Sequence, residues 1–162
     1  MYIQQADLFW GMKRGFVKEV MNIAEKKSYQ KGEFIFREGD PAANFYVLIK
    51  GQVKLTIGDA GQMVYTVDRA GEAFGWSSLI ERDVYSASGD CQQDTLLQRF
   101  DSRALLNILD QDPVNGLIFI KRLASLIGNR LLWSYKVIRS SSQATVSPTG
   151  GSGQIEVSEA AA

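Results

Sequence analysis

The stretch GEAFGWSSLIERDVYSAS, from Gly71 to Ser88, decides how the rest of the chain is interpreted. Glycines bracket an acidic and an aromatic residue, a run that suits a short helix follows, and small residues end the stretch. Backbone N–H groups at the start of a helix bind anions, and glycines allow a ligand to approach the backbone closely. The pattern suggests the hypothesis of a turn that holds the phosphate of a ligand.

Segments on both sides of this turn have the pattern of β-strands. Before it, EFIF at residues 33–36 lies between two turn signals, and residues 53–57 alternate apolar and polar side chains. Gly58-Asp59-Ala60-Gly61 tolerates positive φ and predicts a hairpin turn between two antiparallel strands. After the stretch, residues 84–100 predict a further pair of strands.

Helical patterns flank the strands. Apolar residues recur every three or four positions over residues 6–27, which predicts an N-terminal helical part, and two more helices are expected over residues 102–139. Short strands over residues 29–100 with helices at both ends predict an α+β fold, a small antiparallel β-barrel or jelly roll with an N-terminal helix and C-terminal helices. We expect one domain over residues 1–139. Ser, Gly, Ala and Thr dominate residues 140–162, which predicts a disordered tail with no DNA-binding domain.

The last predicted helix begins at Asp112-Pro113, a favourable N-cap and first-turn pair, after a shorter helix capped by Asp101 or Ser102. Its apolar residues lie on more than one face, so more than one surface must cover them. One interpretation is a helix packed only against its own β-roll, and the other is a helix that also packs on a second copy or on a partner protein. The expected homodimer face, spaced as in a coiled coil, consists of Leu117, Ile120, Ala124, Ile127, Leu131 and Ile138.

The composition argues against several classes of function. Eighteen basic and eighteen acidic residues give a formal net charge of zero, which argues against a nucleic-acid partner. The chain has no histidine, so Ser-His-Asp catalysis and imidazole metal ligation are excluded, and we expect no catalytic residues, no metal and no cofactor. The single cysteine, Cys91, excludes an internal disulfide. No apolar run reaches the roughly 18 residues of a membrane span and no basic, apolar leader follows Met1, so we expect a cytoplasmic protein without membrane contact.

The order of these segments resembles the cyclic nucleotide-binding domain family, which includes catabolite activator proteins and the regulatory subunits of cyclic-nucleotide-dependent kinases. The segments KGEFIFREGD, ANFYVLIKGQVKL and GEAFGW carry the resemblance, which extends from about Leu8 to Ile138. The turn glycines that match the spacing of the family are Gly32, Gly39, Gly51, Gly71 and Gly75. The resemblance implies a regulatory or sensing module, not an enzyme, in which a ligand shifts a short helix and thereby the C-terminal helices.

The resemblance also implies where a ligand would bind. The phosphate-binding cassette of the family resembles Phe-Gly-Glu, a short helix, and an arginine followed by small residues; the glutamate binds the ribose and the arginine binds the cyclic phosphate. Phe74 and Gly75 match this pattern, but Trp76 stands at the glutamate position and Tyr85 at the arginine position. An arginine–phosphate pair contributes about 1.5–3 kcal/mol, so we expect binding of ordinary cyclic AMP or cyclic GMP to be weakened or altered.

Three hypotheses follow for the cassette. In the first, the helix start at Ser77-Ser78 holds a phosphate, with Arg82 as a substitute cation; in the second, Trp76 and Tyr85 line a more apolar pocket for a different small ligand. In the third, Trp76 fills the pocket and the domain is a ligand-free dimerisation or docking module. Glu72 precedes the matching residues and is expected to be a solvated turn acid. The candidate ligand-binding residues are Gly71, Phe74, Gly75, Trp76, Ser77, Ser78, Leu79, Arg82, Tyr85, Ser86 and Ala87.

Overall fold

The computed structural model describes residues 7–58 and 62–144. The α-helices of this part are α1 (Arg14–Asn22), α2 (Ser102–Gln111) and α3 (Pro113–Ala144). Its strands are β1 (Ala24–Tyr29), β2 (Phe34–Phe36), β3 (Asn44–Lys50), β4 (Val53–Ile57), β5 (Gln62–Val67), β6 (Ala73–Phe74), β7 (Ser88–Cys91) and β8 (Thr95–Asp101). Short 3-10 helices occupy Asp7–Phe9 and Trp76–Leu79, and the second is called the cassette helix below.

The strands form two antiparallel four-stranded sheets, with the orders β1-β8-β3-β6 and β2-β7-β4-β5. A cluster of buried side chains from both sheets fills the space between them: Phe36, Tyr46, Leu48, Val53, Val67, Phe74, Cys91 and Leu97. The predicted jelly roll with flanking helices is therefore confirmed. The two sheets remain separate, so the closed barrel that was the other form of this expectation is wrong.

Strand β3 is covered on both faces and connects two cores. Its side chains alternate, so that Tyr46 and Leu48 belong to the core between the sheets whereas Phe45 and Val47 belong to a second core. The second core lies under the helices and includes Val20 of α1. Burial on both faces explains why the run Phe45–Leu48 is apolar throughout instead of alternating.

Helices α2 and α3 begin at the two capping residues predicted from the sequence. The Asp101 carboxylate accepts a hydrogen bond from the N–H of Ala104 at 2.9 Å, and the Asp112 carboxylate accepts one from the N–H of Asn115 at 3.1 Å. A Cβ on Gly116 would meet the carbonyl oxygen of Leu109, so glycine lets α3 approach α2 closely. The last of these contacts fixes the N-terminal end of α3 against α2.

The N-terminal helix is shorter than the predicted range 6–27. Phe16 and Val20 of α1 are buried as expected, but the helix ends at Asn22 and β1 begins at Ala24. The apolar periodicity ends at Ile23, and the segment AEKKSY then pairs with β8 over its whole length. The helix prediction is therefore wrong after Asn22, because pairing with a distant strand outweighs the local pattern.

Two further expectations differ in detail. The strands predicted over residues 84–100 form, but β7 lies in one sheet and β8 in the other, so they are not paired with each other. Strands β4 and β5 pair as predicted, whereas residues 59–61 of the expected hairpin turn lie outside the described residues. Helix α3 continues through Ala144, past the expected boundary at residue 139, and residues 145–162 of the expected tail lie outside the described part.

Candidate functional site

The cassette turn begins at β6, which pairs with Tyr46 and Val47 of β3. Gly75 follows with a φ of 72°, in the left-handed region that favours glycine, and caps the cassette helix. A Cβ on Gly75 would lie 2.8 Å from a ring carbon of Tyr46. Glycine is therefore needed at this turn both for its backbone conformation and for the close approach to β3.

Tyr85, at the position of the family's arginine, is part of the core between the sheets. It is 3% exposed, and its ring stacks on Phe36 with centroids 4.1 Å apart. Its hydroxyl donates to the carbonyl oxygen of Asn44 at 2.7 Å and accepts from the N–H of the same residue at 3.0 Å. Burial raises the pKa of the Tyr85 hydroxyl, so the group is neutral near pH 7. The side chain is fully engaged in packing and in backbone contacts.

Trp76, at the position of the family's glutamate, is half-buried and faces α3. The guanidinium carbon of Arg130 lies 4.6 Å from the centroid of a Trp76 ring and 4.3 Å from that of Tyr65, so the cation is held between two aromatic groups. The Nη2 atom of Arg130 donates to the carbonyl oxygen of Ala73 at 2.5 Å. Trp76 is therefore a contact between the cassette and the C-terminal helix.

The Arg130 contact has two further features. Trp133, one turn along α3, stands edge-on to Tyr65 at 5.4 Å between ring centroids and an angle of 85°. The Nη1 atom of Arg130 is buried and has no hydrogen-bond partner among the described residues. Burial lowers the pKa of Arg130 from its ordinary value, although an arginine side chain stays charged in proteins. Tyr65, Trp76, Arg130 and Trp133 are called the Arg130 cluster below.

Glu72 is not the solvated turn acid that the sequence suggested. Its side chain is 12% exposed, and its carboxylate accepts hydrogen bonds from the Tyr65 hydroxyl at 2.8 Å and from the N–H groups of Asp68 at 3.1 Å and Arg69 at 3.0 Å. The Arg69 guanidinium adds an ion pair at 3.2 Å. Burial acts to raise the pKa of Glu72, but these donors outweigh it and the pKa lies below its ordinary value. Glu72 therefore fixes the turn that leads into β6 and orients Tyr65.

The two serines of the cassette helix bond within the turn. Ser77 is buried and its hydroxyl lies 3.5 Å from that of Ser86, whereas the hydroxyl of Ser78 donates to the carbonyl oxygen of Gly75 at 3.1 Å. Arg82 is exposed, and its N–H donates to the carbonyl oxygen of Ser77 at 3.3 Å. Phosphate binding by Ser77-Ser78, with Arg82 as a substitute cation, stays a prediction.

The remaining candidate residues shape the turn. The N–H of Gly71 donates to the carbonyl oxygen of Leu48 at 2.8 Å, and Ala87 is half-buried. Phe74 and Leu79 are buried, the first between the sheets and the second under the helices. The structure thus leaves Trp76 half-buried and Ser86 exposed, and it buries Ser77, Tyr85 and Phe74. Ligand binding by any of them stays a prediction.

The described residues also form a surface depression that lies outside the cassette. The depression, of about 630 Å³, is lined by Tyr29, Lys50 and Thr95 among others, and none of its lining residues belongs to the cassette. Within residues 7–58 and 62–144, no group of His, Cys, Asp or Glu side chains is placed to hold a metal ion. No helix in this part is long and apolar enough to cross a membrane.

Helix α3 carries most of the exposed apolar side chains in the described part of the chain. Of the fourteen large hydrophobic residues exposed there, nine lie on α3. The expected dimer-face residues Leu117, Leu131 and Ile138 are 55%, 50% and 62% exposed. Ile120 and Ala124 are also exposed, whereas Ile127 is half-buried against the core under the helices. Dimerisation through this face stays a prediction.

Sequence reasoning missed the partners of Trp76. Arg130 lies seven residues after the buried Leu123, so a charged residue occupies the face of α3 that packs on the β-roll. A charge at such a position is the signal that could have identified it. Tyr65 and Trp133 carry no comparable signal, because exposed and half-buried aromatics are common in strands and helices.

Comparison with known proteins identifies the family. The model of the cyclic nucleotide-binding domain family matches residues 26–112, more than half of the chain. A human cGMP-dependent protein kinase 2 is 32% identical over 91 residues, which are 54% of this chain and 12% of the kinase. The chain therefore spans only about an eighth of the length of that relative.

Solved structures agree with this assignment. A protein from Geobacter metallireducens GS-15 described as cyclic nucleotide-binding has a TM-score of 0.69 and 26% identity, with 76% of this chain and 91% of that chain covered. A cyclic nucleotide-binding domain from Methylobacillus flagellatus KT has a TM-score of 0.73 at 24% identity, with 82% of this chain and 76% of that chain covered, which supports the fold. The chain belongs to the cyclic nucleotide-binding domain family, a family of regulatory domains.

Proposed function

We propose that this member of the cyclic nucleotide-binding domain family is a regulatory module with weakened or altered cyclic nucleotide binding, and that its output passes through α3. The observation that carries the proposal is the state of the two charged cassette positions. Trp76 and Tyr85 replace a carboxylate and a guanidinium, and both side chains already have partners inside the domain. A cyclic phosphate would therefore lack its main charged contact and a ribose its carboxylate.

The proposed output through α3 is supported by the contacts that this helix makes. Arg130 contacts both Trp76 of the cassette helix and Ala73 of the preceding strand. Any movement of the cassette helix would therefore directly change the contacts that hold α3. The part of α3 beyond these contacts exposes Leu131 and Ile138, so it is available to a partner.

We propose a second copy of the chain as that partner. An interface between two symmetry-related helices needs an apolar face repeated at heptad spacing, and Leu117, Leu131 and Ile138 provide one. Members of this family often form dimers. The face of α3 that packs on the β-roll, which includes Phe119 and Leu123, is already buried and does not compete with this role.

A second candidate function is a ligand-free interaction module. It is favoured by the stacking of Tyr85 on Phe36 and by the two hydrogen bonds of its hydroxyl to Asn44, which make this side chain a core residue. In this case the domain presents α3 to a partner without responding to a nucleotide. The two candidates share the helix and differ only in whether a small molecule controls it.

Thermal unfolding with added cyclic AMP and cyclic GMP distinguishes the candidates and tests the proposal. A ligand at a hundred times its dissociation constant stabilises the folded state by about 2.7 kcal/mol, or about 5–10 °C for a chain of this size. A regulatory module with weakened nucleotide binding, called the weakened sensor below, predicts that such a shift appears only at millimolar nucleotide. The ligand-free module predicts no shift at any concentration.

The variant Arg82→Gln provides a matched test of the remaining cation. Arg82 is exposed, so the substitution should leave the fold intact. If Arg82 substitutes for the family's arginine, the variant loses whatever nucleotide shift the wild type shows. Stabilisation of the wild type by several degrees at micromolar cyclic AMP or cyclic GMP would overturn the proposal of weakened binding.

A further inference from the structure

The contact between α3 and the cassette is built around a single cation. The Arg130 guanidinium lies between Tyr65 of β5 and Trp76 of the cassette helix, at 4.3 and 4.6 Å from the ring centroids. Its hydrogen bond to the carbonyl oxygen of Ala73 adds a third point of attachment. One side chain of α3 thus contacts β5, β6 and the cassette helix.

The cluster has a specific acidic neighbour. Glu72 accepts a hydrogen bond from the Tyr65 hydroxyl and so holds the ring on which Arg130 lies. The carboxylate favours the charged form of Arg130, although its direct ion pair is with Arg69. Arg130 is therefore held mainly by aromatic faces and one carbonyl oxygen and only at a distance by an opposite charge.

The attachment is incomplete, which suits a contact that opens. The Nη1 atom of Arg130 is buried without a hydrogen-bond partner among residues 7–58 and 62–144. A buried donor without a partner loses its hydration and gains nothing in return, so this contact is weaker than a fully paired arginine. Moving Arg130 into water would give its Nη1 atom a hydrogen bond to water and break the two ring contacts.

We propose that Arg130 is an intramolecular latch that holds α3 on the cassette in the absence of a small ligand, with Trp76 as its main receptor. The inference rests on the proposed output through α3. The position at which the family carries its ribose-binding glutamate here binds a side chain of the same polypeptide. The resting position of α3 is then set by this internal contact, and displacing Arg130 from between Tyr65 and Trp76 releases the following part of the helix.

Hydrogen–deuterium exchange of the full chain without any nucleotide tests the latch. Arg130→Gln should speed exchange of the backbone amides of residues 126–139 about tenfold and leave the amides of β3 and β8 unchanged. Arg130→Lys keeps the charge but lacks the planar group that stacks on the rings, so it should give a smaller increase in the same segment. Arg122→Gln is the matched control, because Arg122 also lies on α3 but contacts Trp10 of the N-terminal segment, at 5.2 Å, instead of the cassette.

The variant Trp76→Leu separates a latch from a merely structural arginine. It removes the aromatic receptor and should speed exchange in residues 126–139 as much as Arg130→Gln, and the double variant should be no faster than either single one. Equal exchange of Arg130→Gln and Arg122→Gln in this segment would overturn the latch. So would additive effects of the two substitutions, or an increase spread uniformly over the β-roll.

The outcome is independent of the test of the proposed function. The exchange experiment contains no nucleotide, so tight cyclic AMP binding by the wild type would refute the weakened sensor and leave the latch measurement unaffected. Conversely, a wild type with a thermal shift only at millimolar nucleotide and with unchanged exchange in Arg130→Gln would refute the latch alone.

Discussion

Replacing Tyr85 with phenylalanine tests whether the residue at the position of the family's arginine is part of the core. The substitution keeps the ring that stacks on Phe36 at 4.1 Å and removes only the hydroxyl. That hydroxyl donates to the carbonyl oxygen of Asn44 at 2.7 Å and accepts from its N–H at 3.0 Å. The change therefore deletes two hydrogen bonds from a side chain that is 3% exposed.

The expected loss of stability follows from these two bonds. An intramolecular hydrogen bond contributes about 0.5–1.5 kcal/mol net, and a buried group left without a partner costs about 1–3 kcal/mol. We expect Tyr85→Phe to lower the free energy of unfolding by about 2 kcal/mol. With a urea m-value of about 2 kcal/mol per molar, the unfolding midpoint falls by about 1 M. The variant should remain folded, since domains have about 5–15 kcal/mol of stability.

Urea unfolding followed by tryptophan fluorescence measures this loss. Tyr135→Phe is the matched control, because Tyr135 is 57% exposed on α3 and removing a solvent-exposed hydroxyl costs little stability. The control should change the free energy of unfolding by less than about 0.5 kcal/mol. A Tyr85→Phe variant as stable as this control would refute the assignment of Tyr85 to the core and favour a hydrated pocket lined by its hydroxyl.

Three further predictions concern the turn, the helix contact and the dimer face. The folded-state pKa of Glu72 is lowered, so the Glu72 carboxylate stabilises the fold above about pH 5 and loses this contribution as the pH falls through and below about 4. In urea titrations, the free energy of unfolding of the wild type should exceed that of Glu72→Gln at pH 7 and approach it near pH 3. Gly116→Ala should lower the unfolding temperature because a Cβ there meets the backbone of α2, at a cost of about 1–3 kcal/mol, whereas Gly128→Ala, with open space around it, should raise it through higher helix propensity. Leu131→Glu should weaken self-association at least tenfold in sedimentation equilibrium. Asn129→Glu should not, because Asn129 is exposed and lies about 200° around the helix axis from Leu131. Equal association of these two variants would contradict the dimer face.

The parts of the fold that follow from local rules could be predicted from the sequence. The conformation of Gly75 is an example, since a glycine between a strand and a short helix suits the positive φ that the turn has. The caps at Asp101 and Asp112 are further examples, because their carboxylates act within three residues along the chain. Local chemistry of this kind needs no knowledge of the distant partners.

Most of the missed features depend on residues far apart in sequence. Strand β1 has a largely polar sequence and forms because it pairs with β8, where Glu25 also meets Arg99 at 2.7 Å. Glu72 is an exception, because its partners lie only three to seven residues earlier and bury its carboxylate when the turn folds them back onto it. Trp76 could be recognised as a departure from the family, but its contact with Arg130, 54 residues later, could not.

The altered cassette residues depend on their partners, so changing one position at a time would not recreate the family's site. A glutamate at position 76 would stand beside the Arg130 guanidinium, and a charge-assisted pair between them would occupy the carboxylate that a ribose needs. An arginine at position 85 would place a charge beside Phe36 in the core and remove both hydrogen bonds to Asn44, which is strongly unfavourable without a phosphate to pair it. A functional phosphate site would therefore require changes at positions 76, 85 and 130 together, and the last of these would also remove the attachment of α3. In this chain the residue at the position of the family's glutamate is therefore also a residue that contacts α3.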